Sequence, residues 1–291
     1  MTLYQYFSAV RDESRISGLS IYEKNEAYEK LGSRIGEFFG QLHSPESREL
    51  VKASISRNRE IALGKDLIFQ EAVMPIKKHL AQFNIPNAEV LFNRVLEDYQ
   101  RANLPSEQCF VLGDFHPGSV LLPTEFGDGS QTLGVIDWEF SGLGRGPNGD
   151  MAQFLAHLHV LLMNRGKSRQ LYDTLKPFIH GVCAGYSQQI SRWLGALSLR
   201  GSRPSGAAVE SFHIFRSALI LHGREMINTA VEQDWSRSRE NEGGISLQQT
   251  VERGAWYLER AQSNVEEMLD PANVDQLYKN DMMLNLFGIV D

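Results

Sequence analysis

Four side chains able to hold a cation or move a proton lie close together in the chain: Asp114, His116, Asp137 and Glu139. They fall in two apolar runs, Val-Leu-Gly-Asp-Phe-His-Pro-Gly-Ser-Val-Leu-Leu (Val111 to Leu122) and Leu-Gly-Val-Ile-Asp-Trp-Glu-Phe (Leu133 to Phe140). A glycine-rich turn, Phe126 to Ser130, separates them. Runs of β-branched residues and leucine bounded by turn residues signal strands. The pattern therefore predicts a small β-hairpin, with Asp114 and Asp137 where strand gives way to loop, the usual seat of reactive groups. Carboxylates gathered in this way repel one another unless a cation or a proton joins them. Mg²⁺ suits such oxygen ligands, taking one or two carboxylates and completing its shell with water and substrate phosphate. A further carboxylate can then act as general base. A single aspartate at a strand end is usually a turn or cap residue, so the expectation rests on all four occurring together.

The elements that must position these residues are mostly helical. Apolar residues at helical spacing predict a helix over Tyr22 to Leu42, through Leu31, Ile35, Phe38, Phe39 and Leu42, with Pro45 as its stop. Two more follow at Asp66 to Phe83, with Pro75 near its middle, and at Asn87 to Ala102. Beyond the strands, Asn148 or Asp150 is expected to cap an apolar helix, Met151 to Met163. Further helices are expected at Gln170 to Leu194, Ala208 to Val231, Leu247 to Leu269 and Val274 to Leu286. Met1 to Ser20 carries few periodic signals and reads as an arm, and Gly195 to Gly206 is the most linker-like stretch. The fold class is thus α+β, mostly helical, divided into an arm (1–21) and one larger domain (22–291).

Composition narrows the function classes. A net charge of -7 argues against a non-specific nucleic-acid binder, which needs a basic face. Two cysteines, Cys109 and Cys183, both in apolar surroundings, make no disulfide framework and read as buried thiols in a reducing compartment. No leader-like segment opens the chain and no run reaches the length of a membrane helix, so a cytoplasmic location and no membrane partner are expected.

Gly-Asp-Phe-His-Pro-Gly-Ser with Val-Ile-Asp-Trp-Glu-Phe resembles the catalytic and metal loops of the aminoglycoside phosphotransferase and choline kinase group, most of all the 5-methylthioribose kinases. The resemblance implies a protein-kinase-like C-terminal lobe, with the β-hairpin carrying both loops. It makes Asp114 the base that takes the proton of an attacking hydroxyl, with His116 beside it. It makes Asp137 and Glu139 the Mg²⁺ ligands and Ser119 the occupant of a second-metal position. Asp150 matches the group's scaffold aspartate behind the catalytic loop. Leu31 to His43 resembles the helix that opens this lobe, and Leu221 to Ala230 with Asp234 and Trp235 resembles the tail of the methylthioribose kinases. There Arg224 stands in for a sugar-binding arginine; Trp138, apart from that tail, is taken as a further substrate contact.

The departures are specific. The resemblance implies an N-terminal lobe before Leu31, yet Met1 to Lys30 holds no glycine-rich phosphate loop and no strand lysine, so that lobe reads as largely missing. Lys24 and Lys30 read as surface charges on a helix. Leu112 stands where the group has a histidine that braces the loop. Three functions remain open. The first is a phosphotransferase acting on a hydroxyl of a sugar, aminoglycoside or metabolite, with ATP use in question. The second is an Mg²⁺-dependent lyase or cyclase holding a substrate diphosphate in a cleft lined by Phe115, Trp138 and Phe140. The third is a non-catalytic pseudokinase whose uncovered face binds a partner or a second copy.

Overall fold

The structure is a computed structural model that describes residues 1–9, 21–55, 67–123, 132–164, 169–194, 206–232, 246–264, 267–268 and 281–288. The expected turn at Phe126 to Ser130, most of the loop from Gly195 and the stretch around Asp234 and Trp235 lie outside them.

The arm is a helix. α1 (Leu3–Ala9) is opened by a reciprocal cap in which Thr2 Oγ1 accepts from Gln5 N–H (3.1 Å) and Gln5 Oε1 accepts from Thr2 N–H (2.9 Å). Leu3, Tyr6 and Phe7 enter the main core, with Phe7 edge-on to Phe178 at 5.1 Å. The Tyr6 and Tyr28 hydroxyls meet at 2.9 Å in a setting whose burial raises both above the usual phenol range. Tyr6→Phe is expected to lower unfolding free energy by about 1 kcal/mol, read as a smaller urea midpoint at constant slope.

Tyr28 belongs to α2 (Ile21–Leu42), which packs along α7 (Arg169–Ile190). Their contact is set by glycine. A Cβ on Gly32 or Gly36 would lie 2.1 Å from the Phe178 carbonyl oxygen or 2.2 Å from that of Val182; one on Gly181 would lie 2.0 Å from that of Glu29. The two backbones touch, which no side chain at these positions would permit. This close approach brings His43, just past the end of α2, to Tyr186 of α7.

Pro45 starts a helix instead of only stopping one. α3 (Pro45–Ile55) places proline in the first turn, where its missing N–H costs nothing, and Ser44 Oγ accepts from Ser47 N–H at 3.3 Å. The helix expected from Asp66 to Phe83 runs over 67–82, with a wide turn, Phe69–Val73, just before Pro75 and its regular part, α4 (Met74–Gln82), after it. α5 (Ala88–Gln100) follows. α4 and α5 form a second apolar cluster with the later helices α8 (Gly206–Glu232) and α9 (Leu247–Arg260), through Ile76, Leu80, Phe92, Ile227 and Leu258.

The expected single hairpin is two nested antiparallel pairs. β1 (Gln108–Val111) pairs with β4 (Gly142–Arg145), Phe110 opposite Leu143. β2 (Val120–Leu121) pairs with β3 (Gly134–Val135), Val120 opposite Val135. Asp114, His116 and Glu139 consequently lie off the strands, in the loops between these pairs. Thr2 bridges to Leu121, so α1 is tied to the outer edge of β2. After a wide turn, Gly146–Met151, comes α6 (Ala152–Asn164), the apolar centre of the molecule. The last described helix, α10 (Met282–Leu286), packs on α7 and is anchored by a buried Asp281–Arg260 ion pair. No helix among the described residues is long and apolar enough to cross a membrane.

Candidate functional site

The loop from Leu112 to Ser119 is held from three directions. Phe115 is fully buried and stacked between Phe39 of α2 (3.7 Å between centroids) and Phe154 of α6 (4.2 Å). This corrects its expected place in an aromatic cleft, since it has no face left to offer. Ser119 is also fully buried, donating to the Asp114 carbonyl at 3.3 Å and accepting from His116 N–H at 3.4 Å. Its hydroxyl thereby shapes the loop. Gly113 has φ +91°, and a Cβ there would lie 2.3 Å from the Phe140 carbonyl oxygen. Only glycine fits both the conformation and the contact, and that contact seats the Asp114 loop against the turn holding Glu139.

Behind the loop stands Asp150. It does not cap α6; its oxygens accept from Leu112 N–H (2.7 Å) and Gly113 N–H (3.0 Å). His43 Nε2 approaches one of them at 3.3 Å, and Tyr186 OH lies 2.8 Å from His43 Nδ1. A carboxylate only accepts, so His43 Nε2 carries a proton toward Asp150. Burial, with Cys109 and Asp150 nearby, keeps the Tyr186 phenol far above its usual range and therefore protonated. These buried contacts hold the backbone at Leu112 and Gly113 from behind. The turn carrying Asp150 is pinned in turn by Arg145, whose guanidinium donates to the Asp98 carboxylate and carbonyl, each at 2.7 Å.

Asp114 projects from this braced loop, partly exposed. Gln153 Nε2 donates to its Oδ1 at 2.7 Å, and His116 Nε2 stands 4.0 Å from its Oδ2. The Gly118 N–H donates to His116 Nδ1 at 3.0 Å, so a neutral His116 turns its own N–H toward Asp114. The His116 ring is 5.7 Å from that of His157, which reaches Thr229 Oγ1 at 3.4 Å. Burial, reinforced by His116, pushes His157 down to about 3, leaving it neutral near pH 7.

Asp137 has φ +65°, left-handed backbone that a non-glycine residue seldom adopts, and opens the short turn Trp138–Phe140 without capping it. The cap half of the bland reading is thereby removed, while the turn half stands, since aspartate tolerates left-handed backbone in turns. Glu139 is exposed in that turn, beside Ile136, Trp138 and Phe140, each a little over a third exposed. Trp138 donates to the Val135 carbonyl at 2.9 Å and stacks on Phe110. Among the described residues no three His, Cys, Asp or Glu side chains gather as a ready metal cluster. Asp137 and Glu139 stand two positions apart at this turn, and carboxylates in that number are of the kind Mg²⁺ takes from a protein.

Residues 11–145 match the phosphotransferase enzyme family (APH). The match spans just under half of the 291 residues and includes Asp114, His116, Ser119, Asp137, Trp138 and Glu139. It supports the aminoglycoside phosphotransferase and kinase-like group, and the mostly helical fold with its two small sheets is compatible with that group. None of the curated proteins compared matches the chain. Asp150, Gln153 and Arg224 lie beyond the phosphotransferase match. Arg224 is neither solvated nor open: it is buried on α8, with Nε donating to Glu225 at 2.8 Å. His159 and His222 are fully buried and face each other at 3.1 Å, as core histidines do.

Two residues of the site escaped sequence reading. His43 ends a recognisable helix, but its contact with Asp150 spans over a hundred positions. Gln153 carries one readable signal, an amide in the first turn of a helix otherwise apolar on nearly every side.

Proposed function

We propose that the chain transfers a phosphoryl group to a small hydroxylated acceptor, with Asp114 as base and Mg²⁺ held by Asp137 and Glu139. The observation that carries this reading is Asp114 itself. It is a partly exposed carboxylate on a loop fixed by Asp150, Phe115 and Gly113, with one oxygen turned toward His116. An acceptor oxygen about 2.8 Å from both Oδ2 and His116 Nε2 would bridge their separation at roughly a right angle. There its O–H proton passes to Asp114 Oδ2, while the acceptor oxygen bonds to the γ-phosphorus of ATP and the bond to the β–γ bridging oxygen breaks, releasing ADP. Mg²⁺, when bound, neutralises charge on the phosphates. Trp138 is proposed as a contact for the bound substrate. Arg224 is left out of the proposed contacts, because its guanidinium is already engaged by Glu225.

The test is a thermal-shift titration: Mg²⁺ with ATP is expected to raise the melting temperature, since a ligand of the native state stabilises it. No shift would remove this reading. Asp137→Ala is expected to weaken Mg²⁺ binding by at least about tenfold, because one of only two carboxylates is lost. Unchanged Mg²⁺ affinity, measured by calorimetry, would take Asp137 out of the site.

The exposed row Ile136, Trp138 and Phe140 favours a second reading, in which this face is covered by a partner or a second copy. A dimer in solution that ATP neither stabilises nor dissociates would favour it over catalysis. The diphosphate lyase reading loses one of its three aromatic lining residues with the burial of Phe115, while Trp138 and Phe140 stay exposed.

A further inference from the structure

α6 is apolar almost throughout, with Phe154, Leu155, Leu158, Leu161 and Leu162 all buried. Two of its polar residues, Gln153 and His157, stand one turn apart and meet the loop: Gln153 reaches Asp114, and His157 lies beside His116. The Asp114 contact joins residues 39 positions apart and is short, 2.7 Å, with the amide nitrogen on Oδ1 alone. Rotation about the outer torsion of an aspartate is soft, so an unheld carboxylate presents either oxygen in a broad range of directions.

We propose that Gln153 is a positioning residue for Asp114. Its amide occupies Oδ1, fixes the plane of the carboxylate, and leaves Oδ2, the oxygen nearer His116, to take the acceptor proton. This role rests on the phosphotransfer reading. Gln153 itself moves no proton and touches no reacting atom. Its contribution is orientational, and misplacing a reacting group by about an ångström costs on the order of 100-fold in rate.

The experiment compares Gln153→Leu, Gln153→Glu and Gln153→His with wild type and Asp114→Asn. Phosphate release or ADP formation is followed with Mg²⁺, ATP and a panel of small polyols and aminoglycosides, water serving as the acceptor of last resort. Gln153→Leu and Gln153→Glu are expected to lower kcat roughly 10–100-fold with KM for ATP and melting temperature unchanged. Gln153→His, which restores an N–H donor, should recover part of the loss. Wild-type kcat in Gln153→Leu overturns the proposal, as does a loss that follows melting temperature and is not relieved by histidine. An inactive Asp114→Asn beside a fully active Gln153→Leu sinks the role of Gln153 alone. Wild-type protein no faster than Asp114→Asn sinks the phosphotransfer reading, and the positioning role with it.

Discussion

Asp114→Asn is expected to reduce kcat for phosphoryl transfer by roughly 10²–10⁴-fold, the range a positioned general base contributes. The substitution is informative because it changes so little else. An asparagine Oδ1 can still accept from Gln153, whose donor now lies 2.7 Å from that position. The loop is braced through its backbone by Asp150 and through Phe115, neither of which the change touches. With 44% of the Asp114 side chain exposed, little burial is altered, so melting temperature should stay near wild type. What disappears is the ability to accept a proton from the attacking hydroxyl. Turnover measured under saturating Mg²⁺ and ATP decides the matter, and a variant within a small factor of wild type would exclude Asp114 as base.

The candidate site residues can be picked out in the chain because they lie close in sequence. Asp114, His116, Asp137 and Glu139 stand within two short runs, and the loop and turn they define meet where Gly113 touches Phe140. The long helices were legible through their apolar spacing, since α2, α7 and α8 each bury one broad stripe or more. The misses have separate causes. Weak periodicity makes α1 look like an arm, yet Thr2-Leu3-Tyr4-Gln5 spells a capping box, and the cap outweighs the short run. Pro45 does follow the end of the helix at Leu42, and with Ser44 before it also makes a helix start that periodicity does not show. β4, Gly-Leu-Gly-Arg, has almost no intrinsic strand preference and becomes a strand only through its pairing with β1. The Phe115 stack, the burial of Arg224 and the Gln153–Asp114 contact depend on how α2, α6 and α8 pack against the rest of the molecule. Periodicity shows that a helix has an inner face, without showing which loop that face meets.

Asp150→Ala is expected to cost about 3–5 kcal/mol of stability and to disable the site as well. Asp150 is 2% exposed, and its two oxygens serve the Leu112 and Gly113 amides together with His43 Nε2. Alanine leaves three donors without that acceptor in a space too enclosed to hydrate all of them, and each such loss costs roughly 1–3 kcal/mol before relaxation. Gly113 then loses the acceptor of its N–H where it lies close to the Phe140 carbonyl, so Asp114 and the Asp137 turn should loosen together. Chemical denaturation should show a lower midpoint at unchanged slope, and hydrogen exchange should speed up first at the Leu112 and Gly113 amides. Asp150→Asn keeps one acceptor oxygen but sets an NH₂ group against a second donor, so it should fall between alanine and wild type. If the alanine variant kept native stability and slow exchange at both amides, the brace would lie elsewhere. The precision attributed to Asp114 would then have to come from Phe115 and Ser119 alone.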